Sequence, residues 1–342
     1  MNSYILKNEN AQYYECGYSS DNAIFLRLED ENYFITDSRY TTEAKEHIKN
    51  ALVVESNNLL DTCFGLIKKK KVKKLIIDPK EWSILDYEKF NKKLKIPLLQ
   101  KVDFSQKRRE IKSEDELEVL KEAIRLGKEA FSNLSSHLNS SFEKFNEKKL
   151  NFLAQSFLTF HGEYELSFEP ILAINENGAK PHAKPSYKML KHDDLLLFDG
   201  GLKYKRYCSD RTRTVFFNDG FSFDKNQTFK DKKIQKAYDT VRFAQDVAIK
   251  AVKAGVKAKE IDLKAREVID NSEFKGLFTH STGHGIGLDI HEYPYIRKNS
   301  ETVLKENMIF TIEPGIYIPN EFGIRIEDVV IVKENGVEVL SD

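Results

Sequence analysis

Cysteine is scarce in this sequence: three residues, Cys16, Cys63 and Cys208, in a chain of 342. They are odd in number and far apart, and no CxxC pair exists. Neither a disulfide framework nor a structural zinc site is therefore indicated. Net charge is lacking too. Lys plus Arg and Asp plus Glu both number 54, which removes the electrostatic reason to expect nucleic acid or an anionic membrane as partner. No apolar run approaches the roughly 20 residues that span a bilayer, and the opening segment has no charged region followed by an apolar one, as a secretory signal would. Repeats at solenoid spacing and low-complexity tracts are also missing. What remains is a soluble, cytoplasmic chain, long enough for two domains and, at 40% hydrophobic residues, able to bury real cores.

The first hundred residues alternate short β-type runs with helical segments. Residues 23–26 and 33–36 flank the polar turn 29–32 and read as a hairpin. Helical composition follows at 41–49, 59–69 and 81–94, with strands at 52–54 and 75–78. This order predicts a small α/β domain over 1–110. The basic run at 68–74 reads as a solvated helix end, where lysines suit the helix dipole. A charged stretch at 106–112 without apolar periodicity marks the boundary. Beyond it Ser113 and Glu116 form a capping box, and Leu117, Leu120, Ile124 and Phe131 recur at helical spacing. A second stripe, Ile234, Ala237, Val241, Ala244, Ala248 and Ala251, predicts another helix, with Gly255 able to end it. A further helix is expected around Ile261, Ala265 and Val268. β-rich runs at 171–174, 195–199, 207–217, 308–318 and 323–332 complete a domain over 111–342, in which a curved, mostly antiparallel sheet is backed by helices.

Acids embedded in apolar strands are the anomaly. Asp199 ends the run Leu195-Leu196-Leu197-Phe198, and Asp210 lies in Tyr207-Cys208-Ser209-Asp210-Arg211-Thr212. With Tyr204-Lys205 as the tip of a hairpin, 199 and 210 face each other across two strands. A hairpin centred on Asn320 likewise sets Glu313 opposite Glu327. Any one such acid is ordinarily satisfied by a nearby arginine, and Arg211, Arg213 and Arg325 are available. Two hairpins that each face carboxylate against carboxylate are unfavourable unless something positive lies between them.

Histidine supplies a neutral ligand. His182 follows Asn177-Gly178-Ala179-Lys180-Pro181, and His280, His284 and His291 share one stretch in which Gly283, Gly285 and Gly287 let the backbone turn sharply and approach closely. Four carboxylates and one imidazole favour a borderline-hard dication such as Mn²⁺, with Co²⁺, Fe²⁺ and Zn²⁺ also compatible. Four negative charges match two such ions. Cys208, a lone thiol near hard ligands, reads as packing.

These motifs resemble those of the creatinase, prolidase and methionine aminopeptidase superfamily, peptidase family M24. The blocks that carry the resemblance are Leu197-Phe198-Asp199-Gly200-Gly201, Ser209-Asp210 with Thr212-Arg213-Thr214, Gly283-His284-Gly285-Ile286-Gly287, and Thr311-Ile312-Glu313-Pro314-Gly315 with Ile324-Arg325-Ile326-Glu327-Asp328. Thr36-Asp37-Ser38-Arg39-Tyr40 adds a likeness to the creatinase-type N-terminal domain, which points to the proline-specific branch. The resemblance implies a C-terminal pita-bread catalytic domain. It implies that Asp199 binds one metal ion, that His284 and Glu313 bind the other, and that Asp210 and Glu327 bridge both. It places His182 and His291 at the scissile bond, His280 beside the prolyl ring and Arg325 behind the metals or near the substrate. Arg206, Arg211 and Asn175 depart from the common pattern without removing a ligand.

The reaction so implied is hydrolysis of an Xaa-Pro bond by a metal-bridging hydroxide, with Glu313 shuttling the proton. An Xaa-Pro aminopeptidase, acting on peptides with proline second, is the first expectation, and an Xaa-Pro dipeptidase (prolidase) the alternative. A metal-free interaction protein on the same scaffold, or a creatinase-like amidinohydrolase, would not require the intact ligand set. By the same resemblance a homo-oligomer, most simply a dimer, is expected.

Overall fold

The structure, a computed structural model, describes residues 3–141 and 143–340. It divides into two compact units, Met1–Arg109 and Glu110–Asp342. No helix among the described residues is long and apolar enough to cross a membrane.

The first unit is built on a six-stranded mixed sheet in the order Leu52–Glu55, Glu31–Thr36, Ala23–Leu28, Tyr4–Leu6, Leu75–Ile77, Leu98–Gln100. Alternation along the strands explains why both faces are covered. Ile24, Leu26 and Leu28 face one core, while Ala23 and Phe25 face another, as the period of two requires. The hairpin is tighter than its polar turn suggests. Leu28 pairs directly with Glu31, and Glu29 takes a positive φ of 57°, so both strands run on into the polar residues. The lysines after helix Leu59–Lys69 remain exposed.

In the second unit all strand pairings among the described residues are antiparallel. The long helix Glu114–Ser140 starts at the expected capping box: the Ser113 hydroxyl accepts from the Glu116 amide at 3.2 Å, and the Glu116 carboxylate accepts from the Ser113 amide at 2.9 Å. With Glu147–Leu158 it packs on the three-stranded sheet 212–216, 195–199, 171–174, where Phe131 stacks on Phe198 with ring centroids 4.0 Å apart. Each such fully buried side chain contributes about 1.5–3 kcal/mol. Helices Lys232–Ala251 and Ala258–Asp270 cover a five-stranded sheet and the ribbon Gly315–Ile318 with Phe322–Arg325. The first of them stops at Ala251, ahead of Gly255. Val252 turns extended, and Gly255, with φ 89°, instead donates its amide to Leu304.

Three β-rich runs are interrupted. Residues 207–217 divide into Tyr207–Cys208 and Thr212–Phe216, 308–318 into Ile309–Ile312 and Gly315–Ile318, and 323–332 into Phe322–Arg325 and Asp328–Lys333. Asp210, Glu313 and Glu327 each sit in one of these gaps. There the chain leaves one sheet and joins another. Pro314, which has no amide to give to a ladder, enforces one of the breaks.

Candidate metal centre

The first acidic pair is arranged differently from its expected register. Lys205 and Arg206, with φ 47° and 70°, form the turn, and Tyr204 pairs with Tyr207. The hairpin is therefore centred one residue later, and Asp199 lies opposite Thr212, not Asp210. Asp210 falls in the gap beyond, turned toward the acids of the other sheet. The second pair sits between the cross-strand partners Ile312–Asp328 and Gly315–Arg325, a register that sets 313 against 327. Asn320, with φ 61°, is at the ribbon tip.

His284 is held between two glycines that admit no side chain. A Cβ on Gly283 would lie 1.8 Å from the Thr311 carbonyl oxygen, and one on Gly285 would lie 2.2 Å from that of Tyr293. The backbones on either side of the histidine thus close to a distance only glycine permits. The His284 amide donates to Thr311 Oγ1 at 3.1 Å, and its Nδ1 lies 3.1 Å from the Gly285 carbonyl. A carbonyl only accepts, so Nδ1 carries the proton and Nε2 keeps its lone pair. That lone pair stands 3.6 Å from Asp210 Oδ2 and 3.4 Å from Glu313 Oε1. One ligand atom from each of Asp210, His284 and Glu327 lies within 4.8 Å of the others.

These residues fit a cation. Asp210 Oδ1 is buried with no hydrogen-bond partner among the described residues, which is costly for a carboxylate in a protein interior. Separations of 3.4–3.6 Å between nitrogen and oxygen are long for hydrogen bonds. They are close to the spacing of two atoms that each lie about 2.1 Å from one shared ion. The available arginines do not neutralise the cluster. Arg213 is spent on Asp328, on the Glu327 carbonyl and on the Thr212 carbonyl, and Arg211 lies over the Phe131 ring. Arg325 does reach an acid of the set, donating from Nη2 to Asp199 at 2.6 Å.

Arg325 anchors a chain of groups that composition alone does not reveal. Its Nε donates to Thr212 Oγ1 at 3.1 Å, and Thr212 Oγ1 donates to Glu327 Oε2 at 2.6 Å. Its Nη1 donates to the Tyr317 hydroxyl, which lies 2.8 Å from His280 Nε2. His280 Nδ1 is 2.8 Å from the Ser281 carbonyl. Both ring nitrogens of His280 are therefore occupied, with Nδ1 protonated. The sequence assigns no role of their own to Thr212, which lies in a motif block, or to Tyr317, because a hydroxyl in a strand has many ordinary uses.

The charges explain the protonation states of the metal-free chain. Burial, followed by the repulsion of neighbouring acids, raises Asp210 and Glu327 well above ordinary carboxylates. Burial raises Glu313 to about 8. Burial also pushes His280 and His284 down to about 3 and lowers His291. The two sets act oppositely on stability. The histidines favour the fold more as pH rises toward 6.5, whereas an acid that binds its proton more tightly folded than unfolded destabilises the fold as pH rises. Between pH 6.5, the unfolded histidine value, and about 8, where Glu313 titrates, only the acids act. The unfolding midpoint of chelated protein is expected to fall across that interval, while the stabilisation on adding Mn²⁺ grows, because cations displace the same protons. Thermal melts at the two pH values, with and without Mn²⁺, check this. A metal-free midpoint that stays level or climbs would contradict it.

Asp199, Asp210, His284, Glu313 and Glu327 share a cavity of about 430 Å³ with His182, His280, His291 and Arg325. His182 and His291 are exposed in its walls, and the His291 ring meets that of His284 at 4.2 Å. A larger groove of about 850 Å³ between helices Lys232–Ala251 and Ala258–Asp270 has no histidine or cysteine in its walls and no cluster of facing acids.

The chain matches the family model for metallopeptidase family M24 over residues 118–334 and that for the creatinase/prolidase N-terminal domain over 1–111. It is 36% identical to the Xaa-Pro dipeptidase of Pyrococcus furiosus over 255 residues, 74% of this chain and 70% of the relative. Among solved structures it resembles an Xaa-Pro dipeptidase from Bacillus anthracis, with TM-score 0.90 and 30% identity, covering 100% of this chain and 93% of the other. It also resembles an X-Pro aminopeptidase from Thermotoga maritima, with TM-score 0.87 and 30% identity, covering 100% and 96%. Ligand-type residues converging on one cavity, a fold shared along the whole chain and two matched family models agree: this chain belongs to metallopeptidase family M24 and carries a creatinase/prolidase domain at its N-terminus.

Proposed function

We propose that the protein is a metal-dependent Xaa-Pro peptidase that acts as a dipeptidase, in preference to the aminopeptidase that the sequence motifs put first. One observation supports the chemistry above others: Asp210, with a buried oxygen that has no partner among the described residues, and Glu313 converge on the lone pair of His284 Nε2. The likeness to dipeptidases of Pyrococcus furiosus and Bacillus anthracis favours the dipeptide substrate.

In this reading Asp199, Asp210, His284, Glu313 and Glu327 would hold two divalent cations, with Mn²⁺ suited to so oxygen-rich a set. Such ions, when bound, make water nucleophilic near neutral pH and polarise the scissile carbonyl. The chain supplies the rest. Glu313 takes the proton of the attacking water and passes it to the prolyl nitrogen, which cannot leave a tertiary amide unprotonated. His291 and His182, exposed in the cavity wall, offer N–H donors to the oxygen on which charge develops. His280, with both nitrogens engaged, presents a ring packed on Phe278 and Tyr317, an apolar surface for the prolyl ring. Arg325, whose fork is engaged by Asp199, Thr212 and Tyr317, acts through Asp199. The three buried free thiols suit a reducing, cytoplasmic setting.

The test compares hydrolysis of Xaa-Pro with Xaa-Pro-Xaa by protein chelated and then reloaded with Mn²⁺. Turnover confined to the dipeptide is expected. Equal or faster release of the first residue from the tripeptide would restore the aminopeptidase reading.

A further inference from the structure

An Xaa-Pro dipeptide differs from a longer peptide in one chemical respect that a binding site can read: its proline bears a free carboxylate. Burying that group strips its hydration, so a site that selects dipeptides needs a cation of its own to receive the charge. Besides histidines, the basic side chains that line the cavity are Arg325 and Lys184. Arg325 is unavailable, because its donors are occupied by Asp199, Thr212 and Tyr317 and it is buried. Lys184 differs on every count. Its side chain is exposed, its ammonium has no hydrogen-bond or ion-pair partner among the described residues, and its backbone is fixed by the Asn177 side chain, which donates to the Lys184 carbonyl at 3.0 Å. Asn177 is itself held by Glu147, at 2.9 Å from its Nδ2. The same Glu147 carboxylate accepts from the Ser186 amide at 2.7 Å, so the segment is tied down at Lys184 and again two residues further on. Glu169, the acid nearest in kind on this wall, accepts from Gln155 at 3.2 Å.

We propose that Lys184 is a specificity-determining residue that binds the carboxylate of the substrate's proline, an inference that rests on the dipeptidase reading above. The ammonium contributes a charge-assisted contact present in both ground and transition states, so its loss acts on binding rather than on turnover.

The experiment uses Mn²⁺-loaded full-length protein and two substrates, an Xaa-Pro dipeptide and the same dipeptide with a C-terminal amide. Wild type is expected to prefer the free acid. Lys184→Gln is expected to raise KM for the acid about tenfold, with kcat within about twofold and the amide unaffected, and Lys184→Arg to retain most of the preference. Because Lys184 is exposed, neither variant disturbs a core. If wild type prefers the acid and Lys184→Gln keeps that preference, the assignment to Lys184 is wrong while the dipeptidase reading stands. If wild type cleaves acid and amide equally, the dipeptidase reading fails and takes the assignment with it.

Discussion

Asp210→Asn is expected to lose metal and at least about three orders of magnitude in kcat/KM, the several kcal/mol that cations supply to such chemistry. The residue is chosen because its Oδ1 is buried without a partner and its Oδ2 stands 3.6 Å from the His284 lone pair. An amide there keeps the volume and removes the charge. The same change has an opposite effect on the metal-free fold. Burial and then the neighbouring Glu327, Asp199 and Glu313 oppose ionisation of Asp210, so an amide spares the metal-free fold the cost of ionising or protonating that group, and chelated Asp210→Asn should melt above chelated wild type. Metal content by elemental analysis, steady-state kinetics and thermal melts read the three effects. A variant that retains about two equivalents of metal per chain and full activity would remove Asp210 from the ligand set.

Lys112→Met is expected to cost about 3–5 kcal/mol of stability, the usual penalty for stripping one partner from a buried ion pair. The Lys112 ammonium lies 2.6 Å from Glu292 Oε1, and both side chains are about 1% exposed. Glu292 directly follows His291 and packs under Gly287, where a Cβ would meet its carboxylate at 2.4 Å. With its lysine gone, the acid would keep a buried charge beneath the histidine-bearing segment without the ammonium that faces it. The double variant Lys112→Met with Glu292→Leu should recover much of the loss, since neither member of the pair then stays buried without the other. Denaturant midpoints of the three proteins decide it. A single variant as stable as wild type would show that water reaches the pair.

Lys112 also shows where reading the sequence ends. The stretch 106–112 has the composition of a linker, yet Arg109 and Lys112 are each 2% exposed, and the partner of Lys112 is 180 residues away. Local composition carries no trace of such a pairing. The ligand-type acids, by contrast, were legible because charge in an apolar strand demands an explanation. The interruptions at those acids were not legible, except at Pro314, because hydrophobic pattern continues across a break that changes only the sheet. The Asp199 hairpin went astray for a related reason. Its turn is made by Lys205 and Arg206 in left-handed conformations, where glycine or asparagine would have announced it. At Asn320 the turn residue is of the expected kind, and the second register was correctly read.

The ribbon that joins Glu313 to Glu327 constrains how this protein can diverge. Both residues keep their direction only while equal numbers of residues lie between each of them and the tip at Asn320. A single inserted or deleted residue on one arm would swing its carboxylate to the opposite side of the sheet. Length changes here are tolerable only in matched steps on both arms, or outside the span that the two acids enclose. In this segment, spacing is inherited as strictly as chemistry.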